Sequence, residues 1–214
     1  MLDRIKRLRS SGHDLDARLL LAAYTTRIAN EHGVGCILVG GSAVDFYTAS
    51  TLESVSGLLP GHLRGSVDLD FVAAATRTRQ DAARLRAALA TNGFKPVEGV
   101  PVQSARTWSH PEGPGLIVDV MPDDLEGSVP HVRTLTVDGI DIQIIGPEDL
   151  FIQYLEAAIA TAHRHDYTRA VALALTHEED MDWPYVYDVS PPSIPAALID
   201  HARHAGPYEA ALDF

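Results

Sequence analysis

An α/β protein with a helical C-terminal part is what the 214-residue sequence predicts, on three observations. Short apolar runs suited to strands, "CILVGG" from Cys36 and "SVDLDFV" from Ser66, alternate with longer helical patterns. Asp138-Gly139 stands between two β-branched runs in "TLTVDGIDIQII", the strongest short-range hairpin signal in the chain. From Pro147 the composition turns helix-forming, so residues 1–146 are expected as the α/β domain and 147–214 as a helical region packed on it.

Each element has its own signal. Asp14 is expected to cap a helix running to about His32, with Leu15, Leu19, Ala22, Ala23 and Ile28 near helical spacing and Gly33 as its stop. "CILV" is a buried strand, the Gly40-Gly41 pair a corner, and a short helix starts at about Ser42. "TLESVSGLLPGHLRG" carries both kinds of breaker and reads as a loop. Ser66 to Val72 alternates polar and apolar residues, the pattern of a strand with one wet face. Thr78 to Asn92, rich in Ala, Leu and Arg and stopped by Gly93, is a second long helix. "ARTWSH" and "GLIVDVM" flank the turn "PEGPG" as a pair of strands. Pro147, with two acids behind it, suits a helical first turn. The prolines of "WPYVYDVSPPSIP" imply an irregular segment before a last helix from about Pro195.

Composition narrows the function classes. A hydrophobic fraction of 46% with 21% charged residues is that of a globular domain with a sizeable core, and disorder is excluded. The net charge of -12 repels polyanions, which disfavours generic nucleic-acid binding but tolerates a nucleotide escorted by divalent cations. "MLDRIKRLRS" is charged with no apolar run after it, and no stretch approaches the ~20 apolar residues of a membrane helix. Neither export nor membrane contact is expected. The single cysteine, Cys36, forms no internal disulfide, which fits a reducing cytoplasmic setting. A small core residue is its expected role, with a nucleophile as the alternative.

The chemistry concentrates in three places. Asp68 and Asp70 are two apart on a strand, so both carboxylates leave one face and repel each other unless a cation lies between them. Mg²⁺ fits such a pair, since it prefers hard oxygen ligands and leaves sites for water and phosphate. Asp119, inside "LIVDVM", is costly there unless paired, metal-bound or aimed into a cleft. If its strand neighbours that of Asp68 and Asp70, three carboxylates converge, enough for two ions of an in-line phosphoryl displacement. Gly40, Gly41 and Ser42 would then hold the triphosphate tail of a nucleoside triphosphate with backbone N–H groups. Arg64, just upstream, is placed to meet a phosphate at the mouth of that site.

This set, an apolar strand into "GGS", a strand with "DLD" and a later strand with a third acid, resembles the DNA polymerase β-like nucleotidyltransferase superfamily. The stretch from "ILVGGSAVDFYT" through "RGSVDLDFV" looks closest to the small bacterial and archaeal enzymes, including the AbiEii-type ones of toxin-antitoxin and abortive-infection systems. The resemblance implies a mixed sheet flanked by helices, Mg²⁺ dependence with two ions, and transfer of a nucleoside monophosphate to an acceptor: a protein, a tRNA or a small molecule. It implies phosphate binding at Gly41 and Ser42, metal binding at Asp68 and Asp70, and completion of the site and acceptor activation by Asp119. A toxin or antitoxin partner is implied with it, and a noncatalytic binding module on the same scaffold is the alternative function. Arg164 and Asp166, in "HRHDYTRAVAL", align with the helices that follow the catalytic domain in these enzymes. The stretch "ASTLESVSGLLPGHL" departs from the compact members as an insertion, and Asp123 and Asp124 in "PDDLEG" are rivals for the third acid.

Other candidates have plainer readings. His163 and His165 are two apart on a helix and point away from each other, whereas His201 and His204 are three apart and either share an ion or mark a solvated face. Arg77, Arg79, Arg84 and Arg86 offer either a docking patch for a phosphate-bearing acceptor or a soluble helix surface. Trp183, Tyr185 and Tyr187 either stack on a base or pack the C-terminal tail, and Tyr47 either lines the nucleotide pocket or anchors its helix.

Overall fold

The structure, a computed structural model, describes residues 1–49, 68–73, 79–97, 101–102, 104–113, 115–121 and 131–211, with the backbone alone for 79 and 80. The chain forms two compact units, one of residues 1–43 and 65–145 and the other of 44–64 and 146–214. The first unit is the α/β one. It holds α1 (Leu2–Ser10), α2 (Asp14–Glu31), β1 (Cys36–Val39), the start of α3 (Gly40–Thr48), β2 (Asp68–Ala73), α4 (Arg79–Thr91), β3 (Lys95–Pro96), β4 (Thr107–Ser109), β5 (Ile117–Met121), β6 (Arg133–Val137) and β7 (Ile140–Ile144).

Seven strands form one mixed sheet in the order β3-β4-β5-β2-β1-β7-β6. The pairs β2·β5 and β1·β7 are parallel, and the other four are antiparallel. The fold is therefore the mixed α/β architecture that the sequence predicts. Helices α2 and α4 pack on the sheet. Leu38, Leu69, Phe71, Val118, Val120 and Ile142 are fully buried, and each such side chain contributes roughly 1.5–3 kcal/mol by leaving water. The hairpin β6–β7 turns at Asp138 and Gly139, both with positive φ (51° and 74°), as a two-residue turn between twisted strands demands.

Several expectations change at the element ends. Asp14 is the first helical residue of α2 and not its cap; His13 occupies the cap position, with no side-chain cap bond. Asp14 instead pairs with Arg9 of α1, a helix the composition of the N-terminus did not announce because Ile5 is its one buried residue. Helix α3 begins at Gly40 rather than Ser42, since a positive φ of 70° at Gly40 turns the strand directly into the helix.

The second unit holds the rest of α3 with α5 (Pro147–Thr161), α6 (Arg164–Thr176), α7 (Trp183–Val189), α8 (Ala196–Arg203) and α9 (Tyr208–Ala211). Ala162, left-handed at φ 53°, separates α5 from α6. The segment expected to be irregular is helix α7. Pro184 falls in its first turn, where a missing N–H breaks no helical bond, and the Asp182 side chain caps it by accepting from the Tyr185 N–H at 3.1 Å. Two buried acids in the first turn of α5 hold α7 in place: Glu148 accepts from the Asp182 N–H at 3.2 Å and Asp149 from the Tyr185 hydroxyl at 2.6 Å. No helix among the described residues is long and apolar enough to cross a membrane.

Candidate active site

The site grows from the register of three adjacent strands. Parallel pairing places Asp70 opposite Asp119, and Asp68 shares their face one pleat away. The alternate residues Leu69, Phe71, Val118 and Val120 are buried, so the apolar face fixes the register and the acids are carried to the half-exposed face. One carboxylate oxygen from each of Asp68, Asp70 and Asp119 lies within 4.8 Å of the others. Like charges this close repel, and the arrangement favours a cation among them.

The glycine corner closes against these acids. Antiparallel pairing puts Val39, the last residue of β1, opposite Asp70. The chain then turns at Gly40, where a Cβ would collide with the Asp70 carboxylate oxygen Oδ2. Only glycine satisfies both the left-handed φ and that approach. The N-terminus of α3, with Gly40, Gly41 and Ser42 in its first turn, therefore stands beside the acid cluster with its first N–H groups lacking intrahelical acceptors.

Ser42 is placed differently from its two neighbours. Its side chain is fully buried, its hydroxyl donates to the backbone carbonyl of Asp68, and it accepts from Nη1 of Arg18 at 3.1 Å. Arg18, on α2 and only 6% exposed, is the residue that sequence reasoning missed. Its signal was there: one arginine stands inside the apolar run "ARLLLAA" from Ala17 to Ala23.

The residues thus brought together are Gly40, Gly41, Ser42, Asp68, Asp70 and Asp119. Arg64, Arg77, Asp123 and Asp124 lie outside the described residues. The other described candidates make contacts of their own. Arg84 donates to the His32 carbonyl at 3.2 Å and lies 3.8 Å from Asp81, while burial lowers the pKa of Arg86. His163 occupies the cap position of α6 with no side-chain cap bond, whereas His165 lies inside the helix, where burial and the nearby Arg169 lower its pKa. His201 and His204 each bond a backbone carbonyl, of Pro207 and Asp200. Arg164 pairs with Glu209 at 3.2 Å. Trp183, Tyr185 and Tyr187 pack within the helical unit: the Arg203 guanidinium lies 4.5 Å from the Trp183 ring, and the Tyr187 hydroxyl bonds Asp200. Tyr47 meets His177 edge-on at 5.1 Å. Cys36 is buried, and desolvation pushes its thiol pKa up to about 12, which disfavours the reactive thiolate.

The residues present fit a divalent metal. All three candidate ligands are hard carboxylate oxygens, and Asp119 Oδ1 is buried with no hydrogen-bond partner among the described residues. Such an orphaned acceptor is rare unless a cation or water completes it.

Comparison with solved structures agrees with the sheet and its helices. An antigenic nucleotidyltransferase-like protein from Paracoccidioides brasiliensis superposes with a TM-score of 0.55 at 13% identity, covering 91% of this chain and 94% of that one. The fold is nucleotidyltransferase-like. The antibiotic-resistance factor ANT(2'')-Ia aligns more loosely, with a TM-score of 0.44 at 14% identity over 89% of this chain and 91% of its own. No family profile and no curated protein matches the chain by sequence.

Proposed function

We propose that the protein is a metal-dependent nucleotidyltransferase, which moves a nucleoside monophosphate from a nucleoside triphosphate to an acceptor. One observation carries this reading: three carboxylates within 4.8 Å of one another face the glycine-started helix of a nucleotidyltransferase-like sheet. In the reaction, an acceptor oxygen attacks the α-phosphorus, the bond to the bridging oxygen breaks and pyrophosphate leaves. Asp68, Asp70 and Asp119 would hold the divalent ions, Mg²⁺ by the chemistry of an all-oxygen set. Bound there, such ions neutralise phosphate charge and stabilise the attacking and leaving oxygens.

The chain's own groups supply the rest. Backbone N–H groups of Gly41 and Ser42 at the start of α3 point positive dipole ends at the phosphate tail. Asp119 takes the proton of the acceptor hydroxyl. Arg64 remains the proposed partner of a phosphate at the mouth. Acidic balance favours a protein or small-molecule acceptor over tRNA, because a surface with net charge -12 repels a polyanion.

Labelled nucleoside triphosphates, Mg²⁺ and a cell lysate, followed by identification of what becomes labelled, test the reading and name the acceptor. Label transfer with pyrophosphate release is expected, and Asp68→Asn or Asp70→Asn abolishes it. Full activity in either variant refutes the assignment. Release of inorganic phosphate without a labelled acceptor makes the protein a phosphohydrolase. Metal-independent binding of the nucleotide with no transfer leaves a noncatalytic module, the form a toxin or antitoxin partner on this scaffold would take.

A further inference from the structure

We propose that Arg18 and Ser42 form a buried relay that positions Asp68 for metal binding, so that the Ser42 hydroxyl serves the protein's own backbone and not the substrate phosphate. The inference rests on the reading of Asp68, Asp70 and Asp119 as the metal ligands.

Strand geometry gives the reason a relay is needed. Asp70 is held on both sides, by Val39 of β1 and Asp119 of β5. Asp68 lies two residues nearer the start of β2, beyond the last residue of β1 that pairs with it, because the chain leaves the sheet at Gly40. On that side no residue of β1 stands opposite Asp68, and a backbone acceptor there takes a donor from elsewhere. The Ser42 hydroxyl is that donor.

A serine hydroxyl has one proton to give. Here it goes to Asp68, and Ser42 is 0% exposed, so no phosphate oxygen reaches the hydroxyl without breaking the contact. Arg18 fixes the other side of the oxygen from α2, through a hydrogen bond buried at both ends. The charged donor orients the hydroxyl so that its proton faces Asp68. Three elements, α2, α3 and β2, are thereby tied together at the Asp68 carbonyl, and Asp68 is the ligand whose backbone the tie controls. Arg18 and Ser42 are positioning residues, and what they position is a carboxylate.

Mn²⁺ titration of the full chain by calorimetry, with no nucleotide present, tests this. The wild-type chain binds the ion and Asp70→Asn does not. Ser42→Ala weakens Mn²⁺ binding by about tenfold to a hundredfold, the loss typical of outer partners of a metal ligand. Arg18→Met gives a loss of the same order, Arg18→Lys a smaller one, and the Ser42→Ala/Arg18→Met pair loses no more than the worse single change, since both cut one relay. Circular dichroism checks that each variant is folded; if Arg18→Met fails to fold, Ser42→Ala and Arg18→Lys decide alone. A folded Ser42→Ala chain that binds Mn²⁺ as tightly as wild type overturns the relay. So does a variant that loses nucleotide affinity only, the behaviour of a hydroxyl that contacts phosphate. A wild-type chain that binds no Mn²⁺ removes the metal-centre reading, and the relay falls with it.

Discussion

At Asp119 two physical demands meet in one side chain. Its Oδ1 is buried with no partner among the described residues, and its neighbours in the cluster are carboxylates of the same sign. Without a cation this costs stability, on the order of 1 kcal/mol for half-exposed charges at this separation. Asp119→Asn is therefore expected to melt about 2–4 °C higher than wild type in EDTA and to lose the rise in melting temperature that Mg²⁺ gives the native chain. Thermal melts with and without the metal check both halves, and a lower midpoint in EDTA contradicts the repulsion argument. Gly40 is the second residue under double constraint. Gly40→Ala pays about 1–2 kcal/mol for a left-handed alanine and also forces the Asp70 carboxylate aside. Urea unfolding reads the first effect and Mn²⁺ affinity the second, and both are expected to fall.

Among the elements, α7 shows best how a side chain overrides composition. Its prolines argue against a helix, yet Asp182 caps it, Pro184 sits where proline is tolerated, and Tyr185 reaches the Asp149 carboxylate of α5. Asp182→Ala is expected to cost about 1 kcal/mol, the usual worth of a lost N-cap. Denaturant unfolding of the full chain measures it, and an unchanged midpoint would show that packing of Trp183 and Val186 holds α7 unaided. The hairpin β6–β7 is the opposite case. Its turn residues, its alternation and its pairing all give one answer, which is why it was legible in full.

Across the whole molecule, two histidines make stability depend on pH in the same direction. Burial lowers the pKa of His110, packed edge-on to Phe94 and Tyr24 with Nδ1 accepting from the Glu112 N–H, despite the opposing pull of the Asn92 carbonyl and the Glu112 charge. Burial, with the Arg169 charge, does the same to His165 against Asp166 and Asp45. A folded-state pKa below the ordinary value near 6.5 favours the neutral ring. The contribution is then complete above pH 6.5 and declines as pH falls through that value toward the folded-state pKa, because the unfolded chain takes up protons the fold resists. The melting temperature is expected to be lower at pH 5.5 than at pH 7.5, and His110→Gln is expected to flatten that slope. An unchanged slope in the variant removes His110 from the account.

The sequence by itself determined the mixed-fold class, the strands that carry the acids, the glycine corner and the hairpin, because each rests on short-range rules: period-two alternation, positive φ at glycine, a two-residue turn. It also brought Asp68 and Asp70 to one face, since a pleat repeats every two residues. Only the tertiary structure decided that Asp119 stands opposite Asp70, because strand order and register are set by burial of Leu69, Phe71, Val118 and Val120 together, which no local pattern encodes. The same holds for Arg18. An arginine in an apolar run is legible as an anomaly, but its partner, Ser42, lies on another helix, and the bond between them exists only once α2 has packed against the sheet.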